Sequence, residues 1–258
     1  MASKLDKVQD KINKLIKLRD GAMEIDSPNE AEVASKKIQA LLTEYNLEES
    51  ELHQNEPDQI DSTIITVETF TKMKWSKTDA GWKEGMLHML ARNNFCLAVT
   101  EGHRKYNDKG KLIKTPPSMQ IFGKEVNRET VIYLWSQLVP RVALMGRNRF
   151  KEIEHSINEK KGAFLRGYYA GVTRGIEQQL IDQGTVMKKE APKLGELMIV
   201  SEKLVRAKME DHYGGKLSNG RRSRLSGVNG ASMGKADGKG MSINKGVGSG
   251  GKGSLRLS

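Results

Sequence analysis

Half of the glycines and most of the net charge of this chain sit in its last stretch. Residues 214–258 hold 13 of the 26 glycines. They also hold nine basic residues against a single acid, Asp237, which is +8 of the formal +11. A segment of this kind cannot bury enough apolar surface to offset its ordering entropy. The expectation is a flexible, basic Gly/Ser-rich tail over 214–258, with a near-neutral body of 213 residues ahead of it. A domain of roughly 100–200 residues is the usual size, so that body can build a real core.

Several classes are set aside at once. Cys96 is the one cysteine, so no intrachain disulfide framework and no Cys-rich zinc finger is available. No apolar run approaches the roughly 18 residues of a membrane span. The opening MASKLDKVQDK is charged and lacks a signal-peptide apolar region. A cytoplasmic protein without a membrane partner is expected.

Residues 1–50 read as a helical hairpin. Leu5, Val8, Ile12, Leu15 and Ile16 recur at helical spacing, and Gly21 ends the pattern. In Ser27-Pro28-Asn29-Glu30, Ser27 caps, Pro28 suits the first turn and Glu30 completes a capping box. Ala34, Ile38, Leu41, Leu42 and Tyr45 form the second apolar stripe. An acidic, polar linker is expected over 51–61 and an α+β domain over 62–213.

In that domain, Ser62–Phe70 (STIITVETF), Phe95–Thr100 (FCLAVT) and Ser118–Gly123 (SMQIFG) read as strands. Thr78–Asn93 has helical spacing. A basic connector, GHRKYNDKGKLIKTPP, joins the last two strands into a hairpin with a long tip. A helix beginning at Asn127 should kink or split at Pro140. A second helix, Lys161–Gln183, carries Gly167, Gly171 and Gly175 on one face. Each interior glycine costs about 1 kcal/mol against alanine, so another backbone should approach that face closely. Leu197–Val200 (LMIV) reads as a further strand, and Glu202–His212 as a short helix. The fold class is α+β: an N-terminal helical hairpin, a small, largely antiparallel sheet packed with helices, then the tail.

The run from Ile12 to Leu47, with Ser27–Glu32 at its centre, resembles an uncharacterised phage and bacterial family with an N-terminal helical hairpin, the domain-of-unknown-function 2786 type. Phe164-Leu165-Arg166-Gly167 through Gly171, and the Gly-punctuated segment Gly234 to Val247, resemble its later parts. The resemblance implies a phage or mobile-element setting. It transfers no catalytic or binding residues.

The chemistry of a site is harder to find. The five histidines include no His-x-x-x-His pair, and no metal or cofactor is expected. Cys96 reads as a buried structural thiol, and His88, between Leu87 and Met89, as a partly buried helix residue. Glu159-Lys160-Lys161, the one Glu-x-Lys, falls at a helix boundary rather than on a strand. Glu68, Glu84, Glu125 and Glu177 are candidate acids without diagnostic spacing. No catalytic residue is assigned.

The basic groups carry the functional expectation. Arg104, Lys105, Lys109, Lys111 and Lys114 cluster on the connector, with Tyr106 among them as a stacking surface. Arg147 and Arg149 form a second group, and Arg221, Arg222 and Arg224 a third. Three such groups point to a phosphate backbone, DNA or RNA. The leading expectation is a non-enzymatic nucleic-acid-binding accessory protein. One alternative is a protein-interaction or virion-assembly module that docks or self-associates through residues 1–50. The other is a metal-dependent enzyme acting on nucleic acid.

Overall fold

The computed structural model describes residues 60–71, 73, 81–102, 104–106, 112–114, 117–190, 192–217 and 227–241, together with Lys11, Lys14 and Leu15. Those last three are helical, and the rest of the expected N-terminal hairpin lies outside the described residues. The chain divides into two units, Ser50–Gly240 and a second that joins Met1–Glu49 with Met241–Ser258. The described elements belong to the first.

Its sheet has three antiparallel strands in the order β1 (Asp61–Thr66), β5 (Ser118–Gly123), β2 (Leu97–Glu101). β1 is shorter than its β-branched run suggests. Thr66 Oγ1 accepts the Thr69 N–H at 3.2 Å, and the chain turns there into a short helix, α1 (Val67–Thr71). A second, two-stranded ribbon lies within the basic connector: β3 (Arg104–Tyr106) and β4 (Leu112–Lys114).

Alternation along the strands assigns two faces. On one, Ile65, Met119 and Ile121 are fully buried. Helices α2 (Trp82–Arg92) and α3 (Glu125–Ile153) pack here. His88 of α2 meets Thr100 Oγ1 at 2.9 Å, and Arg128 of α3 donates to Thr63 Oγ1 at 3.1 Å. On the other face, Phe122 and Leu97 pack with Ile60 and with Val205 and Met209 of helix α5 (Pro192–His212). The sheet is thus covered on both sides, by α2 and α3 on one and by α5 on the other.

Two expectations change here. Leu197–Val200 is not a strand but part of α5, with Ile199 and Val200 exposed. A short apolar run has no period of its own, and Pro192 at the first helical position starts a helix that carries through it. Pro140 does not split α3, which runs 29 residues around it. Packing on both sides of the proline, through Trp135, Val139, Val142 and Phe150, holds the two halves as one helix.

The larger change is in the tail. Residues Val228–Gly240 form a helix, α6, packed along α4 (Lys161–Glu190). The glycines are the reason. A Cβ on Gly230, Gly234 or Gly238 would overlap the carbonyl oxygens of Phe164, Tyr168 and Val172 respectively. A Cβ on Gly171 or Gly175 of α4 would overlap those of Ala231 and Lys235. The partner numbers rise together, so the two helices run parallel. Isolated, a sequence with this many glycines is a poor helix former, each costing about 1 kcal/mol. Against α4 the missing side chains become the means of contact, backbone on backbone. The glycine face of α4 therefore does meet another backbone, and that backbone belongs to the segment expected to be flexible.

Polar contacts fix the docking. Asp237 accepts the Tyr168 hydroxyl at 2.7 Å and an Arg149 N–H at 3.0 Å. Gln179 donates to the carbonyls of Gly238 and Lys239 at the end of α6. Gly234→Val should release α6, seen as lost helical circular dichroism and faster amide exchange over 228–240. Gly184 also lies in α4 but has open space at its Cβ position. Gly184→Ala should instead stabilise the protein by about 0.5–1 kcal/mol in denaturant titration.

Candidate nucleic-acid interface

The ribbon leaves the sheet between Glu101, the last residue of β2, and Ser118, the first of β5, which are register partners. Its own register pairs Arg104 with Lys114, Lys105 with Ile113, and Tyr106 with Leu112. Its principal packing is between its own two strands. Lys109 and Lys111 lie outside the described residues, as do Arg221, Arg222 and Arg224.

Beside the root of the ribbon, α5 ends. Gly214 takes a left-handed φ of +67°, and the Gly215 N–H bonds back to the Glu210 carbonyl at 2.8 Å. This is the glycine stop that satisfies the last carbonyls of a helix. The chain then leaves through Lys216 towards Arg221–Arg224.

The two roots are tied by hydrogen bonds. Tyr213 donates to Glu101 Oε1 at 2.6 Å and shares its proton with Gln120 Oε1 at 2.8 Å. Ser118 Oγ donates to the other Glu101 oxygen at 3.4 Å. The buried Gln120 amide donates to Ser62 Oγ at 2.7 Å and lies 3.3 Å from His212 Nε2. Desolvation, and then the hydrogen bond to Glu101, push the Tyr213 hydroxyl above its ordinary range. Glu101 and Tyr213 are 112 residues apart in sequence, and neither stands out there as a site residue.

The two arginines of the second basic group sit in different surroundings. Arg147 is exposed on α3. Arg149 is held by Glu152 and Asp237, each at 3.0 Å. Those hydrogen bonds raise its pKa, Glu152 first. Through Asp237, Arg149 ties α3 to α6. The sole acid of the tail, Asp237, is the residue that sequence reasoning passed over.

The candidate acids have structural uses where their contacts are described. Glu84 accepts the Gly81 N–H at 2.8 Å at the start of α2, and Glu177 pairs with Arg92 at 3.2 Å. Among the described residues, no group of three His, Cys, Asp or Glu side chains is placed to hold a metal ion. Cys96 is buried, and desolvation pushes its thiol well up. Burial and the nearby Arg92 charge lower the pKa of His88, which favours its neutral form. None of the described helices is long and apolar enough to cross a membrane.

Tyr213→Phe should cost about 1–2 kcal/mol in denaturant titration, because Glu101 and Gln120 lose their shared donor. Tyr168 is shifted upward as well, by burial and then by Asp237. Both hydroxyls ionise less readily in the folded chain than in the unfolded one, so the folded state holds more protons above pH 10. Their contribution to stability is complete below pH 10 and declines as pH rises beyond it. Melting temperatures recorded from pH 8 to about pH 11 should therefore fall less steeply for Tyr168→Phe/Tyr213→Phe than for wild type.

No family model matches this chain, and no curated protein and no solved structure matches it.

Proposed function

We propose that this is a nucleic-acid-binding accessory protein that grips a phosphate backbone with two basic segments rooted side by side. The first is the ribbon, with Arg104, Lys105, Lys109, Lys111 and Lys114. The second follows Tyr213 and carries Lys216, Arg221, Arg222 and Arg224. The observation that supports this most is the Tyr213–Glu101 hydrogen bond of 2.6 Å, which joins the point where one segment leaves the body to the point where the other does. Two basic groups far apart in sequence thereby start from one place. The phage or mobile-element setting rests on the resemblance of Ile12–Leu47.

Binding to labelled DNA and RNA, followed by fluorescence anisotropy, tests this. Affinity should fall steeply with salt, by about 0.9 log units per tenfold salt for each duplex phosphate neutralised. Arg104→Gln/Lys105→Gln/Lys114→Gln should weaken binding and flatten that slope by about 2–3. Arg149→Gln should leave the slope unchanged while lowering stability. An absence of binding to every substrate at low salt would sink the reading.

A further inference from the structure

The sheet has two outer strands, and they are treated differently. Helix α2 packs along β2, and its His88 reaches Thr100 Oγ1 at 2.9 Å and the Ala98 backbone. Glu101, at the end of β2, is held by Tyr213 at 2.6 Å. On β1 the polar side chains are all engaged within the chain. Ser62 Oγ accepts the Gln120 amide, and Thr63 Oγ1 accepts Arg128. Asp61 lies 3.7 Å from the same guanidinium, and Thr66 Oγ1 is bonded to Thr69. Among the described residues, β5 is the one strand paired with β1. What β1 presents outward is its second main-chain edge and Ile64, which is 65% exposed. Ile64 lies opposite Gln120, on the face where α5 packs against β5 and β2.

An edge strand is a template for another strand, and proteins usually blunt it with Lys, Pro or a bulge. β1 (DSTIIT) carries none of these, and its register with β5 is unbroken from Asp61 to Thr66. We infer that two copies of this chain join through that edge, β1 antiparallel to β1, into one continuous sheet. Symmetry argues for this occupant. Residues directly opposite in an antiparallel pair share a face of the sheet. A two-fold axis perpendicular to the sheet keeps each face, so it must pass through a residue rather than between two. With the axis at Ile64, Ile64 meets its own copy, Thr63 meets the copy's Ile65, and Ser62 meets the copy's Thr66. The exposed isoleucine is then covered at a Cβ separation of ~5 Å, and no charged residue enters the paired stretch. A foreign strand would be selected by pockets for its alternate side chains, whereas Ile64 stands on open surface. Pairing over Ser62–Thr66 buries less than the ~1,000 Å² of a lasting interface, so the dimer is weak and exchanges with monomer. This inference goes beyond the nucleic-acid reading and does not depend on it.

Sedimentation of the full chain, freed of nucleic acid, over a wide range of protein concentration tests it. Wild type should pass from monomer to dimer and no further. Ile64→Lys, checked for an unchanged melting temperature, should weaken that association at least about tenfold, because two like charges meet at the axis. A second measurement uses cross-linking. The natural Cys96 is buried, so a new surface thiol is the one that reacts. With a short bismaleimide, Ile64→Cys should give covalent dimer at least about tenfold faster than Leu144→Cys, a position 53% exposed on α3. Association that survives Ile64→Lys, or equal cross-linking at the two positions, would place the interface elsewhere and overturn the inference. A monomer at every concentration would also overturn it and leave the edge to a foreign strand.

Discussion

The body depends on the antiparallel ladder that β5 makes with β1 and β2. Six register pairs join β5 to β1 and five join it to β2, so every residue of β5 is paired on at least one side. Alternation then hands Met119 and Ile121 to one helical layer and Gln120 and Phe122 to the other. The strand's two ends set the rest. At Ser118 the ribbon returns to the sheet beside Glu101. At Gly123 the chain turns into α3, and no side chain fits there because a Cβ would strike the Cys96 sulfur. The buried Arg128 closes that corner, donating to the Gly123 carbonyl at 2.6 Å and to Thr63.

A second constraint governs the C-terminal half. Glycine lowers helix propensity and removes the side chains that normally hold a helix to its neighbour. In α6 both losses are offset by one gain, contact between backbones over three turns of α4. Such contact has little directional content, and specificity comes from Asp237 held by Tyr168 and Arg149. Arg149 thus joins α3 to α6, with Tyr168 of α4 on the same carboxylate. This leaves Lys235 and Lys239 on the outside of a segment whose inner face is glycine.

Much of the sheet was legible in the sequence because its strands carry local signals: the β-branched STIIT run and the apolar SMQIFG. The close approach on α4 was legible too, since glycines four residues apart in a helix need a reason. The helix on the other side was not. Propensity argues against α6, and only the partner supplied by α4 reverses that argument. Leu197–Val200 misled because four apolar residues fit a strand or a helix turn equally well. The basic positions were visible as charge, but charge alone did not show that Arg149 is paired with Glu152 and Asp237. The link between Tyr213 and Glu101 has no local signature. It exists only once α5 has been laid across the sheet.

The convergence of the two basic segments is best tested by counting. Sedimentation of the full chain with increasing amounts of a short duplex gives the number of duplexes bound per chain. The count should be repeated with the ribbon neutralised, and again with Arg221, Arg222 and Arg224 changed to glutamine. Segments that grip one backbone predict a single duplex per chain in all three proteins, held more weakly in each variant. Two duplexes per wild-type chain, falling to one in either variant with the remaining affinity unchanged, would mean that the segments bind independently, against the shared root.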